Sequence, residues 1–210
     1  TATLRADAST VFSANNKWGV FPSFAAAWNI TQEDFMENTK DWLSNLKLRL
    51  GWGTVGNDRI SNYLSLDLYS ADKIGMGSQQ ITIMKPSQLA NENLRWEGST
   101  TTNLGLDVSL YGGRVNVVLD AFVKDSKDLL LEQDLSYVTG FGKQMQNIGK
   151  IRNKGVELTV NTVNVSTKDF YWATDLTVSF IRTTLVALQD GSDYILSRSG
   201  FNSNFSSYDY

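Results

Sequence analysis

The stretch "EGSTTTNLGLDVSLYGGRVNVVLDAFVK", residues 97–124, alternates on both sides of a turn. Leu104, Leu106, Val108 and Leu110 fall on one face. Glu97, Ser99, Thr101, Asn103, Gly105, Asp107 and Ser109 fall on the other, the period of two expected of a strand. "YGG" at 111–113 supplies a tight hairpin turn. The returning strand sets Val115, Val117, Leu119, Ala121 and Val123 against Arg114, Asn116, Val118, Asp120, Phe122 and Lys124. A half-buried sheet of a soluble protein reads this way. So does the wall of a membrane barrel, with lipid on one side and water on the other.

The same pattern spreads outward. Ala2, Leu4 and Ala6 oppose Thr3, Arg5 and Asp7; Trp18, Val20, Phe24, Ala26 and Trp28 share a face. Leu46, Leu48, Leu50 and Trp52 oppose Lys47, Arg49, Gly51 and Gly53. A second hairpin pairs 150–164 with 169–185, setting Val156, Leu158 and Val160 against Gly155, Glu157 and Thr159. These strands run to about 12–16 residues, where globular strands cluster near ~5–6. Short turns at 111–113 and 165–168 alternate with long connections at 56–94 and 128–146, the segregation of an outer-membrane barrel.

Composition removes several function classes. The 210 residues include neither Cys nor His, which excludes thiol chemistry, disulfides, histidine bases and nearly all transition-metal sites. A net charge of −3 without basic runs gives no pull toward nucleic acid. No run of 18 apolar residues marks a membrane helix, and alternating strands keep mean hydropathy low, at −0.24. The opening "TATLRADAST" is already alternating, so the start of the natural protein is expected to lie upstream. The 6 Trp, 8 Tyr and 10 Phe suit core packing or an interfacial girdle.

"TQEDFMENTKDWLSNL", residues 31–46, predicts one short helix, with Thr31 as N-cap and Asp34 in a relative of the capping box. Phe35, Trp42 and Leu43 would hold it against the sheet end. "GWGTVG" at 51–56 fits G-x-G-x-x-G, but the strand before it carries charges, unlike the doubly buried first strand of a dinucleotide fold. The better reading is a barrel strand whose glycines make room in the lumen or at a bend. Glu97, Asp107, Asp120, Glu157 and Asp175 share the polar face and read as hydrated lining rather than a glycosidase pair. "DGSDY" at 190–194 lacks a full calcium ligand series. No catalytic residue, metal site or cofactor is expected.

Four ordered blocks carry a resemblance: "FPSFAAAWNITQEDFM", "WLSNLKLRLGWGTVGN", "LANENLRWEGSTTTNLGLDVSLYGGRVNVVLDAFVKDSKDLLL" and "TGFGKQMQNIGKIRNKGVELTVNT". Together they resemble successive segments of the SusC/RagA branch of TonB-dependent outer-membrane transporters. Phe21-Pro22-Ser23, Gly51 through Gly56, Asn93-Leu94-Arg95-Trp96-Glu97, and Asn147-Ile148-Gly149 with Asn153 through Glu157 are distinctive as a set. The resemblance implies an all-β fold, with antiparallel, hairpin-linked strands forming an open section of a 22-stranded barrel. Residues 1–188 would form partial barrel, and 189–210 a loop or divergent tail. It departs from the family pattern at 181–188, "IRTTLVAL", where an Asn-rich stretch is usual.

The resemblance also implies import of oligosaccharide or peptide across the outer membrane of a Bacteroidetes-type bacterium. Its partners would be a SusD-like surface lipoprotein, TonB through an N-terminal part absent from this chain, and outer-membrane lipid. Nucleic acid is not expected. Val156, Leu158 and Val160 would meet lipid. Asn103, Asp107, Asn116, Asp120, Glu157, Asn161 and Asp175 would line the water-filled lumen. Tyr63, Tyr69 and Gln79, in the connection 56–94, are the loop candidates for cargo contact. Two rivals stay open: a siderophore- or cobalamin-type TonB-dependent receptor, and a soluble β-sandwich carbohydrate-binding module.

Overall fold

The computed structural model describes residues 1–77 and 79–188. The tail assigned to 189–210, with "DGSDY", lies outside the described residues. Chain order gives β1 (Ala2–Ala8), β2 (Trp18–Asn29), β3 (Leu43–Asn57), β4 (Leu68–Met76), β5 (Gln79–Gln88), β6 (Glu97–Leu110), β7 (Val115–Lys127), β8 (Leu130–Asp134), β9 (Lys143–Asn147), β10 (Lys150–Ser166) and β11 (Tyr171–Ala187). Seven of them form one antiparallel sheet, ordered β1-β2-β3-β6-β7-β10-β11. Its edges, β1 and β11, do not meet, so the sheet is an open section.

Strand length fits a membrane wall. β10 and β11 have 17 residues each, about 56 Å at ~3.3 Å per residue. A tilted spanning strand needs only ~9–11 residues, so these extend beyond the hydrocarbon core of a bilayer.

Register carries the alternation across the sheet. Leu48 lies opposite Leu106, Leu106 opposite Leu119, Leu119 opposite Leu158, and Leu158 opposite Val178. Among the described residues no second layer covers this apolar face. Leu104, Leu119, Val156 and Phe180 are exposed, while Leu106, Val108, Val117, Leu158 and Val178 are half-buried by their in-sheet neighbours. The buried apolar residues among those described are Phe12, Leu43, Leu94 and Ile148, all at strand ends or in connections. A sandwich would place its core between two sheet faces. Among the described residues that core is missing, which removes the β-sandwich reading.

The two sheet ends differ. One carries the turns 111–113 and 167–170 and the connection 30–42. Tyr111, Gly112 and Gly113 all take positive φ, so the turn glycines relieve a strain that side chains at those positions would feel. The other end carries 9–17 and the two long connections. Each long connection is itself a hairpin, β4–β5 in one and β8–β9 in the other. These two hairpins add structure that alternation alone had not marked out within loops 56–94 and 128–146.

The expected helix takes a different form. Residues 30–42 make two 3₁₀ segments, Ile30–Gln32 and Asp34–Thr39, without a side-chain cap. Thr31 is not an N-cap: its hydroxyl donates to Asn29 Oδ1 at 2.8 Å and accepts the Leu46 N–H at 3.3 Å. Phe35 and Trp42 are exposed, and only Leu43, the first residue of β3, is buried. With no apolar stripe to bury, tertiary packing gives an α-helix nothing to gain.

Candidate functional site

The polar face is the side with chemistry. Register places Asn103, Asp107, Asn116, Asp120, Glu157, Asn161 and Asp175 all on it: Asp120 lies opposite Glu157, and Asn161 opposite both Asn116 and Asp175. They are not one cluster. Asn161 Nδ2 donates to Asp175 Oδ1 at 2.6 Å, and Ser109 donates to Asn116 Oδ1 at 2.7 Å. Asn116 then donates to Gly113 O at 2.8 Å, tying that side chain to the hairpin turn. Asn103 leans over Gly51, where a Cβ would overlap its amide.

The centre of the face is a residue absent from the expected lining, Arg49. Its Nε donates to Asp107 Oδ2 at 2.9 Å and its Nη2 to Asp107 Oδ1 at 2.8 Å. Nη2 also reaches Asp120 at 3.0 Å. One guanidinium on β3 thus links carboxylates on β6 and β7. Gly105 makes the approach possible, since a Cβ there would sit 2.6 Å from Arg49 Nη2 and 2.5 Å from Asp120 Oδ1. The alternation showed Arg49 on the correct face, but only strand order brings it to both acids.

Beside this hub lies a concavity of about 1090 Å³, lined by Arg5, Asp7, Phe21, Ser23, Arg49 and Asn103 among others. At the long-connection end, Phe21 packs edge-on against Trp96, with ring centroids 5.4 Å apart, and Phe12 tilts against the same indole at 5.5 Å. Cβ atoms at Gly19 and Gly56 would overlap the Phe21 ring, so these glycines seat an aromatic cluster. Trp96 Nε1 donates to Lys17 O at 3.0 Å.

The segments 93–97 and 147–149 dock on one another. Asn147 accepts the Arg95 N–H at 2.9 Å and donates to Arg95 O at 2.7 Å and Asp128 O at 2.9 Å. Arg95 also pairs with Asp128 at 2.7 Å. Together these contacts tie the two long connections to each other.

The loop candidates are spread out. Tyr63 and Tyr69 are exposed; Tyr69 lies opposite Pro86 near the base of the β4–β5 hairpin, while Gln79 lies at its tip opposite Met76. The structure does not gather the three into one site. On the same hairpin, the Lys85 ammonium bonds to Asp72 and holds its carboxyl below the usual range, aided by the Lys73 N–H. Among the described residues no group of three or more acidic side chains is placed to hold a metal ion.

Comparison with known proteins agrees with this architecture. The family model "TonB dependent receptor-like, beta-barrel" matches residues 1–210. TonB-dependent receptor P3 of Formosa agariphila is 37% identical over 196 residues, covering 93% of this chain and 20% of that protein. TonB-dependent receptor SusC of Bacteroides thetaiotaomicron is 37% identical over 199 residues, covering 92% and 20%. The solved RagAB peptide transporter superposes with a TM-score of 0.83 at 28% identity, over 95% of this chain and 22% of that one. The chain spans about one fifth of the length of the curated relatives it matches. It belongs to the TonB-dependent receptor-like β-barrel family, with SusC and RagAB among its relatives.

Proposed function

We propose that this chain forms part of the wall of a TonB-dependent importer in the outer membrane, working with a SusD-like surface lipoprotein on oligosaccharide or peptide cargo. The observation that carries the reading is the single-layer sheet. Its apolar face has no protein cover among the described residues, and its polar face holds the Arg49–Asp107–Asp120 hub. An apolar face meeting lipid and a polar face meeting water satisfy both sides without a second sheet. The similarity to SusC and to the RagAB peptide transporter supports import and leaves both cargo classes in play.

On this reading the seven polar-face residues hydrate the passage, and Arg49 stiffens the wall between three strands. Tyr63, Tyr69 and Gln79 belong to the cargo-facing mouth. TonB would act through a part of the receptor outside this chain. The test is uptake by cells carrying the full-length receptor, given labelled oligosaccharides and oligopeptides with and without the proton gradient. Gradient-dependent accumulation of either class is expected; equal accumulation in a receptor-deleted strain would sink the proposal.

A further inference from the structure

The apolar face has a feature that lining the lumen does not require. Lys154 and Arg182 both lie on it, directly opposite each other across β10 and β11. Like charges opposed across a strand pair repel. Neither has an ion pair among the described residues. The nearest acid along that face, Asp125, is already taken by Arg152, with bonds of 2.6 and 2.7 Å. Both cations are exposed.

Their position is informative. One side-chain step toward the turns stand Val156 and Phe180, the end of the apolar run. One step the other way the face becomes polar, with Thr100, Asp125, Arg152 and Thr184. The pair therefore marks the edge of the apolar band on the long-connection side, the outer leaflet in these barrels. A groove of about 650 Å³ opens beside it, with Leu104, Val123, Val156 and Phe180 among its apolar lining and Lys154 and Arg182 in its wall.

We infer that Lys154 and Arg182 clasp a phosphate of a phosphorylated glycolipid in the outer leaflet, with an acyl chain lying in the groove. A single snorkelling lysine would need no partner. Two opposed cations do, and an anion between them converts a repulsion into two charge-assisted bonds. The apolar lining beside the pair is what separates a lipid from a free phosphate. This inference rests on the membrane reading given above.

The experiment purifies the full-length receptor in mild detergent and quantifies retained phosphorylated glycolipid by native mass spectrometry. Lys154→Gln/Arg182→Gln should retain at least ten-fold less than wild type, and the charge-preserving Lys154→Arg should retain it. Lys47→Gln, on the opposite face, should match wild type. Added dephosphorylated glycolipid should fail to bind, and millimolar inorganic phosphate should not displace the native lipid. Equal retention by the double variant, or displacement by inorganic phosphate, would overturn the inference. A Leu106→Cys variant tests the parent reading separately: a lipid-phase thiol probe should reach it, and if it does not, the membrane facing itself is wrong.

Discussion

Arg49 on β3 and Asp107 on β6 form a two-bond ion pair, at 2.9 Å and 2.8 Å, and the same guanidinium continues to Asp120 on β7. Three strands are thereby cross-linked by one cation. All three side chains are roughly a quarter to a third exposed, so the pair is neither fully screened nor fully desolvated. Arg49→Met should destabilise the receptor by about 1–3 kcal/mol, because two neighbouring carboxylates lose their shared donor. The deficit should shrink at high salt as their repulsion is screened. Urea unfolding from lipid vesicles at two ionic strengths measures both effects.

Facing can be tested at neighbouring positions. Leu106 lies on the apolar face and Asp107 on the polar one. Leu106→Arg should cost roughly 2–4 kcal/mol if it sits near the midplane of the bilayer. Asp107→Asn should cost less, about 1 kcal/mol, since that side meets water and Asp120 still holds Arg49. Refolding yields of the full-length barrel in vesicles would expose a reversed ranking, which means the register is off by one residue throughout.

Two glycines should behave oppositely. Gly105→Ala places a methyl within 2.6 Å of the Arg49 guanidinium and should destabilise by about 1–3 kcal/mol. Gly98→Ala meets only Lys127, at 3.5 Å, in a strand, and should be neutral or stabilising by up to ~1 kcal/mol. Thermal unfolding of both variants in detergent distinguishes them, and equal losses would contradict the crowding argument.

The ends of the sheet should be accessible from opposite sides of the membrane. Gly75→Cys, on β4 where an added Cβ meets nothing within 4 Å, should react on whole cells with an impermeant thiol reagent. Lys168→Cys, in the turn 167–170, should react only after lysis. The reverse pattern would invert the topology.

The isolated chain should aggregate. β1 and β11 are open edges, and exposed apolar residues such as Leu104 and Phe180 have no cover in water. Size-exclusion chromatography without detergent should find no monomer. A soluble monomer with one cooperative melting transition would count against the wall assignment.

The amino-acid sequence by itself determined the two faces of every long strand, because a period of two is written locally in the alternation. It also determined the hairpin at Tyr111–Gly113, where the turn needs glycine, and the family blocks around Trp96 and Asn147. Two hairpin pairings were also local, but only the tertiary structure decided which strands become neighbours across the long connections. β3 pairs with β6 across the whole β4–β5 hairpin, a separation no local pattern encodes, and Arg49 meets Asp107 and Asp120 only because of it. The same holds for Lys154 and Arg182, each an ordinary alternation break until register sets them opposite. The 3₁₀ segments at 30–39 were misread for a related reason. A capping-like pattern is local, but whether a helix persists depends on an apolar face finding something to bury against, and Phe35 finds nothing.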